Sequence, residues 1–177
     1  MLIVPLLAAS LAAGCGGDSG SSGSTSTAEW ADGLCSAITT WTSAISSATN
    51  SLKGGTPTAD GLKGAVGDIE SATETFVDDV KDLGKPDTEA GQKAKESLDQ
   101  LADNVNEEAG KIKDAADGAS GASGVLAAAS TLSTTLATIG QQLASTFQEL
   151  EQLDAKGELE SAFKDAEACK PLQNSGS

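Results

Sequence analysis

The sequence predicts an all-α protein, specifically an antiparallel four-helix bundle with a short fifth C-terminal helix. Three observations carry this. Apolar residues recur at steps of three and four through four long stretches between Ala28 and Leu153, which is the spacing of one helix face. Glycine and proline interrupt these stretches at intervals of about 30 residues, as turns between long helices require. No segment alternates apolar and polar residues as a half-buried strand would. Short connections between long helices make neighbours antiparallel, and stripes repeating near 3.5 residues favour crossing angles of about +20°.

The first helix is read from Trp30, Leu34, Ile38, Trp41, Ile45, Ala48 and Leu52, one face of a helix ending before Gly54-Gly55. Thr56-Pro57-Thr58 resembles a capped start with proline in the first turn. The second face follows as Leu62, Val66, Ile69, Thr73, Phe76, Val80 and Leu83. Gly84-Lys85-Pro86 then supplies a stop and a new start, with glycine in the left-handed conformation and proline at or near the next first turn. The third face is Ala90, Ala94, Leu98, Leu101, Val105, Ala109, Ile112 and Ala116. Gly118, Gly121 and Gly124 break or fray the pattern. The fourth and most apolar face is Val125, Ala129, Leu132, Leu136, Ile139, Leu143, Phe147, Leu150 and Leu153. After Lys156-Gly157, the residues Leu159, Phe163 and Ala166 mark the short fifth helix, which is expected to end at Lys170-Pro171.

The N-terminal region obeys different rules. Leu2 to Ala13 is a twelve-residue apolar run, about 18 Å long if helical against a hydrocarbon core of about 30 Å, too short to span a membrane alone. It has the length of a signal-peptide core, with small residues Ala12-Ala13-Gly14 before Cys15. Cleavage there leaves Cys15 first, in the position of the lipid-bearing cysteine of a bacterial lipoprotein. Two features depart from that pattern: Ala12 stands where Leu, Val or Ile is usual, and no Lys or Arg precedes Lys53, which leads to the expectation of a start upstream of Met1. The competing reading is ordinary signal-peptidase cleavage and a free N-terminal thiol. The expected organisation is a removed signal peptide at 1–14, a lipidated Cys15 with a flexible Gly/Ser linker at 15–27, the bundle domain at 28–172 and a disordered tail at 173–177. A linker of this composition has an r.m.s. reach of roughly 20 Å and is assigned no structural role.

Three cysteines are an odd number, which in an exported protein leaves one thiol without an intramolecular partner. If Cys15 carries lipid, Cys35 and Cys169 remain as an even pair near opposite ends of the folded region, and export favours their oxidation. Closing such a loop stabilises the fold by about 4 to 5 kcal/mol in the chain-entropy treatment. The alternative is two unconnected buried thiols.

Composition narrows the chemistry. The chain has 26 acidic residues against 11 lysines and a net charge of −15, a surface that repels phosphate backbones and anionic head groups, so nucleic acid is not an expected partner. Histidine is absent, which removes His-dependent triads and the Glu-x-x-His ligand pairs of di-iron bundles. A zinc site on Cys35 and Cys169 needs two more ligands, and only carboxylates are on offer. No Asp-x-Asp-x-Asp-Gly calcium loop occurs. Asp78-Asp79 and Glu107-Glu108 raise the possibility of carboxylate chemistry, but sequence neighbours on a helix point about 100° apart and read as solvated faces. Trp30 and Trp41 lie close to three turns apart and read as core. No catalytic, cofactor or metal residue is therefore expected.

The chain resembles the small exported lipoproteins of Actinobacteria, many of which have no assigned activity. The residues that carry the resemblance are Leu11-Ala-Ala-Gly-Cys15, the Gly/Ser stretch after it, Glu29-Trp30-x-x-x-Leu34-Cys35 with Trp41, and Gly157-Glu-Leu159-x-x-Ala162-Phe163-x-x-Ala166-x-x-Cys169. It implies a protein on the outer face of the cell membrane, held by a diacylglyceryl group on Cys15, with an envelope protein as possible partner and no catalytic residues. The expected role is non-enzymatic, in interaction or structure. A module for a small apolar or lipid ligand between helices is the alternative, and a carboxylate-dependent envelope hydrolase the third. The sequence leaves the oligomeric state open.

Overall fold

Four long helices make up most of the chain: α1 (Thr27–Lys53), α2 (Ala59–Asp82), α3 (Gly91–Asp117) and α4 (Gly121–Leu153). They are followed by α5 (Glu158–Asp165), a 3-10 turn at Glu167–Cys169 and α6 (Lys170–Asn174). The computed structural model describes residues 24–53, 58–154 and 156–174. Over these residues the fold is all-α, apart from one parallel pairing of two residues each, β1 (Ser24–Thr25) with β2 (Lys85–Pro86).

Local signals in the sequence set the helix ends. Ser26 and Glu29 form a reciprocal cap on α1: the Glu29 N–H donates to Ser26 Oγ at 3.3 Å and Ser26 Oγ donates to the Glu29 carboxylate at 2.5 Å. Thr58 caps α2 by accepting the Gly61 N–H at 3.1 Å. The carboxylate of Asp154 accepts the Glu158 and Glu160 N–H groups, each at 2.9 Å, and so covers the open start of α5.

Consecutive helices pack on one another and run in opposite directions. At the beginning of α1, Trp30 Nε1 donates to the Gly84 carbonyl just past the end of α2. Lys81 meets Asp103 and Lys113 meets Glu70, so the end of α2 lies beside the middle of α3 and the middle of α2 beside the last turns of α3. Ile112 and Ala116 late in α3 share a buried cluster with Val125 and Leu132 early in α4. The other large cluster joins Trp30, Leu34, Trp41, Phe76, Leu101, Val105, Ile139, Leu150 and Leu159. A third, small one sets Ala31 and Cys35 of α1 against Ala162, Ala166 and Cys169. The predicted faces of α1 to α3 are thus the buried ones, with Ile45, Leu52, Leu83 and Ala90 only partly covered and Ala90 lying just before α3.

Five expectations need correction. Residues Ser24 to Thr27, assigned to the linker, are ordered into the fold: Thr25 Oγ1 donates to the Leu83 carbonyl at 2.9 Å, and the Thr25 carbonyl accepts the Asp87 N–H at 2.9 Å. Pro86 does not open α3. Gly84 turns at φ +67° as expected, but Pro86 then pairs with Thr25, and α3 begins only at Gly91, where a Cβ would overlap the Pro86 carbonyl oxygen. Gly124 lies inside α4, which already starts at Gly121. The buried stripe of α4 runs through Val125, Ala128, Leu132, Thr135, Ile139, Thr146 and Leu150, leaving Ala129, Leu136, Leu143, Phe147 and Leu153 half-buried. Finally, α5 ends at Asp165, and the chain turns helical again at Lys170 and continues past Pro171 to Asn174, because proline fits the first turn of a helix.

Candidate binding groove at the disulfide

Cys35 and Cys169 form a disulfide with their Cα atoms 4.9 Å apart across a sequence separation of 134. Each partner is delivered by a small-residue contact. Cys35 sits on the α1 face that also carries Ala31, and Cys169 ends the 3-10 turn, held by the Ala168 N–H donating to the Asp32 carboxylate at 3.1 Å. With both sulfurs joined and both residues 2% exposed, neither is a metal ligand.

The disulfide forms part of the wall of a surface groove of about 550 Å³ between α4, α5 and α6, within the range of small-ligand sites. Phe147 of α4, Phe163 of α5 and Leu172 of α6 supply the rest of its apolar lining, and Glu151, Glu160 and Lys164 its polar rim. The aromatic rings form a continuous chain into the core: Phe147 meets Phe163 edge-on at 5.6 Å, and Phe163 meets the buried Trp30 at 5.9 Å. Lys164 reaches Glu160 at 2.5 Å. That hydrogen bond, with the charge of Glu160 and more weakly of Glu151, raises the lysine above its ordinary value of 10.5.

The other residues singled out by sequence are not brought together. Cys15 lies outside the described residues. Asp78 and Asp79 are exposed on α2. Glu107 and Glu108 both pair with Lys111, whose pKa is raised first by Glu108 and then by Glu107. Among the described residues no group of three or more His, Cys, Asp or Glu side chains is placed to hold a metal ion. Trp41 is core, packed at a tilt against Phe76 at 5.4 Å with its Nε1 donating to buried Thr73 at 3.2 Å. Gly118 belongs to a plain connection between α3 and α4.

The groove was missed in the sequence because Phe147 and Phe163 fall at core spacing. Only the return of α5 and α6 across α1 and α4 shows that one side of each ring faces a cleft. Comparison with known proteins finds no matching family model, curated protein or solved structure.

Proposed function

We propose that this chain is an exported lipoprotein of the cell envelope, anchored on the outer face of the membrane by a diacylglyceryl group on Cys15. Residues 1–14 are its removed signal peptide. The helical domain is an antiparallel four-helix bundle with a short fifth helix, and its role is non-enzymatic, through an envelope protein partner or as structure. The observation that carries this reading is the Cys35–Cys169 disulfide. A buried disulfide is the mark of an oxidising compartment, and it leaves Cys15, next to an apolar run of signal-peptide length, as the one cysteine with no partner in the chain. α4 is long and apolar enough to cross a membrane by length and composition, and 28% of its most apolar stretch is buried; Val125, Leu132, Ile139 and Leu150 pack into the two main clusters, which supports a helix with one face in the core.

Intact mass of the protein taken from membranes tests this reading. The expected species has lost residues 1–14, carries a diacylglyceryl group and gains two hydrogens on reduction. A lipid-free mass overturns the anchor. A second reading, a module that binds a small apolar or lipid ligand, is favoured by the apolar groove of about 550 Å³ beside the disulfide.

A further inference from the structure

Five aromatic residues serve the whole chain, and the fold treats them unequally. Trp30, Trp41 and Phe76 are 0, 5 and 1% exposed. Phe147 and Phe163 are only half-buried, and both line the groove, 5.6 Å apart. Trp41 and Phe76 also border a smaller cavity of about 280 Å³ between α1 and α2, but the two most exposed rings of the chain meet at this groove. The rim adds a sign. Glu151 and Glu160 face a single lysine, Lys164, which is already engaged by Glu160, so the mouth carries one excess negative charge within a chain of net charge −15. Aromatic faces attract cations, carboxylates add to that attraction, and the overall field concentrates cations at the surface while repelling anions.

We propose that the groove binds a cationic amphiphile, resting on the ligand-binding reading above. The apolar body lies against Phe147, Phe163, Leu172 and the disulfide, and an ammonium-type head group sits between the Glu151 carboxylate and the phenyl faces. At about 30 Å³ per heavy atom, the groove admits a ligand of about 20 heavy atoms. Both phenyl rings connect to Trp30, so occupancy is visible as a change in its fluorescence.

The test uses the mature chain, residues 15–177, with Cys15→Ser, titrated at pH 8 below the critical micelle concentration with dodecyltrimethylammonium, the net-neutral dodecyldimethylamine oxide of the same size, and dodecyl sulfate. The expected result is saturable one-site binding of the cation by calorimetry and Trp30 fluorescence, about tenfold tighter than the neutral amphiphile and tighter still than the anion. Glu151→Lys weakens cation binding about tenfold, whereas Asp68→Lys on α2, the same change in net charge away from the groove, leaves it within about twofold. Phe147→Leu, which keeps apolar volume and removes the ring face, weakens it about three- to tenfold. Equal binding of cation and neutral amphiphile overturns the charge assignment and leaves the ligand-binding reading standing. Saturable binding of none of the three overturns both. Equal effects of Glu151→Lys and Asp68→Lys show diffuse attraction to an acidic protein and overturn the site.

Discussion

Replacing both Cys35 and Cys169 by alanine removes the disulfide without burying an unsatisfied hydroxyl, and the size of the effect follows from the loop it closes. With a sequence separation of 134, the chain-entropy treatment assigns a stabilisation of about 5 kcal/mol. Net stabilities of single domains are about 5 to 15 kcal/mol, so the double variant loses at least about a third of the original stability. With a urea dependence of about 2 kcal/mol per molar, the midpoint falls by about 2.5 M. The structure also says where the loss is seen. Trp30 reports the docking of α5 through Phe163, and Trp41 reports the α1 and α2 core through Phe76. Urea unfolding of single-tryptophan proteins, Trp30→Phe and Trp41→Phe, each with and without the disulfide, therefore separates two mechanisms. A loss of loop-closure entropy moves both transitions together. A disulfide that only pins α5 and α6 moves the Trp30 signal alone. A common shift below about 0.5 M, or a shift confined to Trp30, refutes the reasoning that this bond stabilises the whole fold.

Thr73→Val leaves the buried Trp41 Nε1 without its acceptor and is expected to cost about 1 to 3 kcal/mol in urea unfolding, with Thr73→Ser close to wild type. Gly91→Ala is expected to destabilise by about 2 kcal/mol, because the new Cβ overlaps the Pro86 carbonyl. Gly110→Ala, with no atom within 4 Å of the new Cβ in the middle of the same helix, is expected to stabilise by about 0.5 to 1 kcal/mol; thermal melts of the two variants check the pair. Lys111, Lys113, Lys156 and Lys164 are all raised above 10.5 in the folded state by bonded carboxylates. Their contribution is therefore complete below pH 10.5 and is lost as pH rises through the folded-state values. The melting temperature should fall from pH 10.5 to 12, and a flat profile in circular-dichroism melts contradicts the assigned pairs.

The helix faces were legible where burial is decided by large side chains. Trp30, Leu34, Ile38 and Trp41 are buried as their spacing demands, and so are Leu98, Leu101 and Val105 of α3. α4 was less legible because of which residues alternate with its large ones. The buried positions between Val125, Leu132 and Ile139 are Ala128 and Thr135 rather than Ala129 and Leu136, and further on Thr146 rather than Phe147. The stripe therefore turns toward small and polar side chains, and threonine gives no apolar signal. The β1 and β2 pairing was invisible because two residues make no period. It is held by the Thr25 hydroxyl and carbonyl, in a stretch whose composition matches the linker before it.

The disulfide and the groove have one structural origin. The residues of α1 from Gly33 to Leu52 and of α4 from Gly121 to Gln148 carry no charge, whereas α2 and α3 carry fourteen acidic residues and six lysines. Ion pairs such as Lys81–Asp103 and Lys113–Glu70 link α2 to α3; α1 and α4 have no such means, and the short side chains along them offer little apolar area per residue. The segment that returns from α4 to α1 is therefore held by two large contacts, Leu159 and Phe163 against the Trp30 cluster, by alanine contacts at Ala31, Ala162 and Ala166, and by a covalent bond beside them. A return path built from an eight-residue helix, a turn and a five-residue helix covers the side chains beneath it incompletely, and Phe147 and Phe163 are the residues left half-covered. The same shortage of packing surface that makes the disulfide matter to stability leaves the cleft open next to it.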